Sequence, residues 1–365
     1  MINKNNYTIG VEEEYMICDP SNGELIDKAD DIISKIPNDL KDRFSYELLL
    51  SEIESNTVIC NNVKEACSNV LFNRNLLSKL GTKLGFKLGI SGTHPTSKPS
   101  NQTFVNNESY DWVSNQLKYY AKRNVTFSTH IHIGIQSPEL IIKVTNSLRR
   151  WIAPMLALSA NSPFFDGIET GMQSSRTFQF STFPRTNIPG FIENLKDYNR
   201  LVDLYVQSGS IEKTRQIWWK IRPHIEYGTV EFRVCDIQRS IKNTELLIAL
   251  TQALVHTIII KEDYIKNDYN YEVLQDGVWK SAKYGLNANV IDPYNLKVLS
   301  MKNMVKIMLN YCNQSLNYFN NKHVVNYAND IMEFGTESIE QLKIYKNGGF
   351  TKLNKYLIDS VEYEY

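Results

Sequence analysis

The sequence predicts an α+β protein: a sheet with helices packed on one face and chemistry on the other. Residues 8–18, 125–135 and 229–235 predict the sheet, because each alternates apolar and polar side chains with the two-residue period of a strand. Amphipathic or apolar stretches at 62–84, 138–159 and 243–262 supply helices to cover it, and the C-terminal third reads as mostly helical.

Composition narrows the classes of function. Lys plus Arg and Asp plus Glu both number 40 in 365 residues, so no overall basic field argues for nucleic acid or an anionic membrane as a partner. Any anionic substrate must be held by local charges. The cysteines at 18, 60, 67, 235 and 312 form neither a C-x-x-C pair nor an even framework, which fits a reducing cytoplasm. The start of the chain, Met1 to Asn6, has no apolar signal region. The best membrane candidate, Leu246 to Ile260, contains Thr251, Gln252, His256 and Thr257 and falls short of the roughly 20 apolar residues of a span. These observations predict a soluble cytoplasmic protein, with a homodimer as the default assembly.

The strand at Thr8–Cys18 organises the rest. Gly10, Glu12, Glu14 and Met16 share one of its faces, and Ile9, Val11, Glu13, Tyr15 and Ile17 the other. Glu12 and Glu14 therefore point the same way, and two buried carboxylates side by side call for a cation between them. On a solvated edge strand the same charges would only discourage aggregation. Asp19–Gly23 is a turn by composition, with Leu25 and Ile26 resuming a return strand. Residues 45–60 form a second extended segment with Glu52, Glu54 and Asn56 on one face and Glu47 on the opposite one unless a bulge intervenes. The helix over 62–84 ends at Gly85, a short strand at 87–91 leads into Gly92-Thr-His-Pro95, and an aromatic-rich helix is predicted over 108–122.

On 125–135 the polar face carries Thr126, Ser128, His130 and His132. Pro138 opens a helix toward Ser159. Residues 161–190, with Arg176 and Arg185, have little periodicity and read as a long functional loop. A helix at 191–207 and a strand at 217–222 precede the strand at 229–235, where Glu231 and Arg233 face away from the core. The buried helix over 243–262, a short one at 279–284 stopped by Gly285, and helices after Pro293 and His323 complete the chain.

If the three patterned strands share one sheet, its polar face presents Glu12 and Glu14, His130 and His132, Glu231 and Arg233. Carboxylates with an imidazole suit Mg²⁺ or Mn²⁺, whereas zinc more often recruits cysteine or three histidines. Carboxylates beside arginine suit phosphate chemistry. Taken singly, each pair has a plainer account: His-x-His as a hydrogen-bonded pair, Glu231 with Arg233 as a same-face ion pair, Arg176 and Arg222 as surface residues. Their coincidence on three strands favours a site. No P-loop, G-x-G-x-x-G, G-x-S-x-G or H-E-x-x-H motif offers another chemistry.

Eight segments, Gly10-Val-Glu-Glu-Glu-Tyr15, Gly92-Thr-His-Pro95, His130-Ile-His-Ile-Gly134, Leu158-Ser-Ala-Asn-Ser-Pro-Phe-Phe165, Ser175-Arg-Thr177, Ile221-Arg-Pro223, Glu231-Phe-Arg-Val-Cys-Asp236 and Trp279–Leu286, stand in the order found in the bacterial carboxylate-amine ligase family. From about residue 7 to 293 the chain resembles that family, which is similar to glutamate cysteine ligase type 2 and, more distantly, to glutamine synthetase. The resemblance implies one glutamine synthetase-like catalytic domain over 1–365, with a curved antiparallel sheet of about six strands forming a funnel and helices outside it. It implies an enzyme that uses ATP and about two or three Mg²⁺ or Mn²⁺ ions to phosphorylate a carboxylate, commonly the γ-carboxylate of glutamate. An amine, cysteine by default, then displaces phosphate.

By the same resemblance Glu12, Glu14, Glu54 and Glu231 are metal ligands and His130 completes one metal site. His132 and Arg222 touch the ATP phosphates, Arg233 contacts the transferred phosphoryl group, and Arg176 holds the substrate carboxylate or the phosphates; Arg233, Arg176 and Glu54 form the catalytic set. Glu52 stands where a polar uncharged residue is expected, which leaves Glu52 and Glu54 open as the ligand. Independently of the resemblance, Glu13 and Glu47 read as structural or as supports behind the ligands. The other readings are a phosphotransferase acting on a guanidino nitrogen, a ligase with a non-glutamate acid, and a degenerate nucleotide-binding protein.

Overall fold

A computed structural model describes residues 6–106 and 108–365; the expectation of no signal region at residues 1–5 lies outside them. The organising strand, β1 (Ile9–Cys18), is buried along most of its length. The predicted turn follows, but the return strand shrinks to a single bridge between Cys18 and Leu25 before α1 (Ala29–Lys35). The segment read as one strand over 45–60 is two: β2 (Phe44–Tyr46) and β3 (Glu52–Asn56) pair antiparallel, and the chain between them turns. That turn resets the side-chain parity on which the placement of Glu47 rested. α2 (Val63–Leu84) starts on the Asn62 side chain, which accepts from the Glu65 N–H, and stops at Gly85, whose φ of 74° is a left-handed conformation that glycine adopts without strain.

β4 (Lys87–Gly89), α3 (Glu108–Leu117) and β5 (Thr129–Gly134) come next. A 3₁₀ turn at Arg149–Trp151 splits the helix expected over 138–159 into α4 (Pro138–Leu148) and α5 (Ile152–Ser159). The long loop holds a two-residue hairpin, β6 (Phe164–Phe165) with β7 (Ile168–Glu169), and a short helix, α6 (Arg176–Phe180). After α7 (Leu195–Gln207), β8 (Ile221–His224) begins later than expected and includes Pro223, tolerated because β8 is an edge strand. β9 (Thr229–Phe232), α8 (Ile241–Ile260) and α9 (Tyr271–Tyr284) follow, α9 starting well before the predicted 279. A hairpin of β10 (Asn289–Ile291) and β11 (Val298–Ser300) leads to α10 (Met301–Tyr318), α11 (Val324–Phe334), α12 (Glu337–Lys346) and α13 (Gly349–Asp359).

The main sheet is antiparallel in the order β2–β3–β1–β5–β9–β8, with β4 also paired to β1. Ile9 and Val11 of β1, Ile131 and Ile133 of β5, and Val230 and Phe232 of β9 enter one core with α2, α5, α8 and α10. Helices therefore cover that face, as the alternation requires. α8 is longer than the span read at 246–260 and is long and apolar enough to cross a membrane by length and composition. Yet 83% of its most apolar window is buried inside the protein, where it packs against α2, α10 and α11. All five cysteines are buried and free.

Candidate functional site

The register of the ladder brings the polar residues together. His130 lies opposite Glu12; His132 lies opposite Gly10 on one side and Glu231 on the other; Glu231 lies opposite Arg222; and Glu14 lies opposite Glu54. Since alternate residues share a face, these side chains emerge together on the side away from the helical core. Glu12, Glu14, Glu54, His130 and Arg222 line a cavity of about 850 Å³ together with Glu47, Arg176 and Arg233, while Glu231 is fully buried beside Glu12 and Arg222.

One end is built around Glu12 and Glu231. His132 Nε2 is 3.1 Å from Glu12 Oε1 and 3.7 Å from Glu231 Oε1, and His130 Nδ1 is 2.9 Å from Glu12 Oε2 and 3.9 Å from Glu231 Oε1. Ligand atoms of Glu12, His132 and Glu231 all fall within 4.8 Å of one another, a group compact enough to hold an ion. His130, expected at a metal site, and His132, expected at the phosphates, thus both reach Glu12 and Glu231. The other nitrogen of His130 reaches sideways: Nε2 lies 2.7 Å from Ser128 Oγ and 3.6 Å from Glu14 Oε1, so the ring links the two carboxylate groups.

Arginines compensate Glu231. Arg222 Nε donates to its Oε2 at 2.5 Å, and Arg233 Nη1 donates to its Oε1. Burial alone would raise the Glu231 pKa, but the two guanidinium groups and His132 together hold it well below the usual carboxylate range. Glu12 is likewise held low: burial opposes ionisation, and His132 with hydrogen bonds from both imidazoles outweighs it. Burial works against the Arg233 charge, yet Glu231, Glu12 and Glu14 raise its pKa above the ordinary value.

At the other end Glu14, Glu47 and Glu54 form a second compact group. Glu14 Oε2 accepts from the Ser128 N–H at 2.6 Å and its Oγ at 2.5 Å, and Glu54 Oε1 accepts from Ser45 Oγ at 2.7 Å and Asn56 Nδ2 at 2.9 Å. Among the described residues none of the three forms an ion pair with Lys or Arg. Burial, then Glu14 and Glu54, push the Glu47 carboxyl well above its ordinary value, and burial with Glu12 raises Glu54. Glu47, set aside as structural, is thus a member of the cluster. Of the Glu52 and Glu54 alternatives, Glu54 opens on the cavity; Glu52 is buried without a partner for Oε1, its carboxyl raised by burial and by Glu14.

Arg176 lines the cavity, but its two terminal nitrogens donate to the Val234 and Arg233 carbonyls, each at 3.1 Å, so only Nε lacks a partner. Asp236, not singled out from sequence, ties the loop to the end of β9: it accepts from Asn161 N at 2.9 Å, Ser162 Oγ at 2.7 Å and Ser174 Oγ at 2.9 Å. A Cβ on Gly92 would come within 2.7 Å of its Cγ, which accounts for glycine there. His94 of the same motif accepts from Ser97 N and meets the Gly23 carbonyl, a turn-holding role away from the cavity. The signal for Asp236 and Ser128 was present, since both lie in or beside patterned strands, but neither is a charged pair by spacing.

The model of glutamate-cysteine ligase family 2 matches residues 8–353. The chain belongs to that family. A relative from Rubrobacter xylanophilus, "Putative glutamate--cysteine ligase 2-1", is 34% identical over 362 residues, which is 98% of this chain and 96% of that protein. One from Solibacter usitatus, "Putative glutamate--cysteine ligase 2", is 31% identical over 360 residues, 98% and 94% of the two chains. Among solved structures, glutamate–cysteine ligase from Francisella tularensis in complex with AMP has a TM-score of 0.73 at 10% identity, over 98% of this chain and 89% of that one. A bifunctional glutathione synthetase from Pasteurella multocida has 0.72 at 13%, over 97% and 52%. At such identities these two show the fold, the α+β, glutamine synthetase-like architecture that the motifs implied. As a member of glutamate-cysteine ligase family 2, the protein is an ATP-dependent carbon–nitrogen ligase that joins a carboxylate to an amine.

Proposed function

We propose that this family 2 ligase moves the terminal phosphoryl group of ATP onto the side-chain carboxylate of glutamate and condenses the acyl phosphate with an amine. The observation that carries this reading is the pair of compact ligand groups, Glu12 with Glu231 and His132, and Glu14 with Glu47 and Glu54, of which Glu12, Glu14, Glu47 and Glu54 line one cavity. Their donor sets fit hard divalent cations such as Mg²⁺ or Mn²⁺. The second group has three acids close together and, among the described residues, no ion pair with Lys or Arg, which is the charge imbalance a cation relieves. Ions held by these two groups would supply positive charge against that growing on the phosphate oxygens in the transition state.

The chain's own groups do the rest. A carboxylate is a poor electrophile and its oxygen a poor leaving group, so phosphorylation is needed before an amine can attack. Arg233, held beside Glu231 and 3.4 Å from His130 Nδ1, places a fixed positive charge on the cavity floor against the transferred phosphoryl group. Arg222 stands beside it toward the ATP phosphates, and Arg176 Nε is turned to an anionic oxygen of the acid. The C–N bond then forms, the bond from carbonyl carbon to phosphate oxygen breaks, and its electron pair leaves on inorganic phosphate. An arriving ammonium sheds one proton to become the nucleophile and a second as the amide forms, with solvent and the departing phosphate taking them up.

Incubation with ATP, Mg²⁺, glutamate and a pool of amines tests the reading. ADP and phosphate are expected only when acid and amine are both supplied, with the condensed product found by mass spectrometry. ADP with a stably phosphorylated product and no need for an amine would mean a phosphotransferase instead.

A further inference from the structure

The steps proposed above use the carboxylates and arginines of the cavity and leave one pair of rings without a task. The ring of His224 stacks on that of Tyr227 with centroids 4.0 Å apart and planes at 9°, and both residues line the cavity. His224, the last residue of β8, is buried, whereas Tyr227 is 69% exposed. The stack covers one face of the Tyr227 ring, so what stands open is the other face and the rim. An exposed tyrosine in a turn ordinarily leaves its ring free to swing; this one is a flat plate held from behind.

The turn that carries it is fixed as well. Residues 225–228 join β8 to β9, the Gly228 N–H donates to the Ile225 carbonyl at 3.1 Å, and the Ile135 N–H donates to the Gly228 carbonyl at 2.9 Å, which ties the turn to the end of β5. Gly228 has φ 66°, the left-handed conformation that closes so short a connection without strain. A ring prearranged in this way gives up little freedom when a partner settles on it.

The plate stands next to the groups that suit phosphates. The His132 ring lies 5.8 Å from that of His224 and 6.3 Å from that of Tyr227, centroid to centroid, and His132 Nε2 is 3.1 Å from Glu12 Oε1. Arg222, two residues before His224 on the same face of β8, donates to Glu231. Outward from Glu12 the order is therefore carboxylates fit for a cation, then imidazole and guanidinium, then a flat aromatic surface. A nucleoside triphosphate has the same order, with phosphates that take cations and positive side chains at one end and a flat base at the other. Glutamate has no flat ring to set on the plate.

Resting on the reading of the enzyme as an ATP-dependent ligase, we propose that the adenine of ATP lies on the open face of Tyr227, with His224 backing the ring, and that this stack sets the affinity for the nucleotide. Removing an aromatic ring on which a base stacks weakens binding by roughly fivefold to a hundredfold, so the effect is large enough to measure.

The test measures dissociation constants of the full chain for ATP and for tripolyphosphate by titration calorimetry in Mg²⁺, because tripolyphosphate has the phosphates and no base. Tyr227→Ala should weaken ATP by at least about fivefold and leave tripolyphosphate within about twofold of wild type. Tyr227→Phe keeps the plate and should bind ATP within about twofold of wild type. Equal loss for ATP and tripolyphosphate would mean that the ring only supports the arginine end, and overturns the proposal. So does unchanged ATP affinity in Tyr227→Ala, which would put the base elsewhere, the adjoining hollow of about 170 Å³ lined by Tyr198, Val202, Pro223 and Ile225 being the next apolar surface. Hydroxamate formed from glutamate, hydroxylamine and ATP reports the ligase reading separately: its absence beside the expected binding pattern removes that reading and leaves the stack, and the absence of saturable ATP binding overturns both. Should Tyr227→Ala not fold, Tyr227→Leu against Tyr227→Phe decides by the same two constants.

Discussion

Arg74 and Glu13 meet in a two-pronged ion pair on the face of β1 turned away from the cavity, with Nη2 to Oε1 at 2.8 Å and Nε to Oε2 at 2.9 Å. Both side chains are 1% exposed or less, and Arg74 also donates to the Gln238, Arg239 and Glu362 carbonyls. One guanidinium thus fastens the strand that carries Glu12 and Glu14 to the segment leading into α8 and to the C-terminal residues. Glu13→Gln leaves that buried charge without its partner, a loss of about 3–5 kcal/mol of stability. Urea unfolding should show a lower midpoint with an unchanged slope, while the folded enzyme at low temperature keeps most of its activity. A wild-type midpoint would show that the pair holds nothing.

Glu12→Gln should do the reverse. Glu12 makes its contacts with two histidines rather than with a buried guanidinium, so the substitution should leave the metal-free protein within about 1 kcal/mol of wild type and lower ligase activity by at least about 100-fold. The rise in Tm on adding Mg²⁺ should shrink with it. Glu231→Gln should lose both activity and stability, because Arg222 and Arg233 would stay buried with one neutral partner between them. Equal Mg²⁺ stabilisation in wild type and Glu12→Gln would remove Glu12 from the metal site.

Glu47 gives a pH prediction. Its carboxyl, like that of Glu54, is raised above the ordinary value of 4.5 in the folded protein, so the folded state binds the proton more tightly than the unfolded one. Stability from these groups is present below the ordinary carboxylate range and lost as pH rises through the raised values. In EDTA the Tm should therefore fall as pH rises above the ordinary carboxylate value of 4.5; Glu47→Gln should flatten that fall, and Mg²⁺ should offset it in wild type more than in the variant. A Tm profile in EDTA that is the same with and without Glu47 would separate it from the cluster.

The side of the sheet that carries chemistry was legible because a strand has a strict period. Glu12, Glu14, His130, His132, Glu231 and Arg233 needed only parity to be placed on one face, and the register then brought them together. Glu47 escaped for the same reason: parity was counted straight through 45–60, and the turn between β2 and β3 breaks the count. The rotation of the His130 and His132 rings was not legible, since it is decided by Ser128 two residues before His130 and by Thr229 on the neighbouring strand. Nor was the use of Arg176 on the carbonyls of residues 233 and 234, or the pairing of Arg74 with Glu13 across 61 positions, because tertiary packing alone supplies those partners. Lys220 belongs to this class too.

Lys220 is 7% exposed and has no carboxylate within ion-pair distance among the described residues; its Nζ lies 3.3 Å from Ser181 Oγ and 3.2 Å from the Thr186 carbonyl. Burial, then the charge of Arg176, bring its pKa down from 10.5 to about 7. For a base whose pKa is lower in the folded state, the unfolded chain holds more protons between the two values, so stability rises with pH from about 7 to 10.5 and is flat below. Lys220→Met removes the ammonium and this rise together. The variant should gain on the order of a few kcal/mol over wild type at roughly pH 6, less whatever the two hydrogen bonds contributed, and the gap should narrow or change sign by roughly pH 10. Unfolding free energies of both proteins at the two pH values check this, since every other group cancels in the difference. A gap that does not change with pH would mean that the buried amine titrates as it does in water.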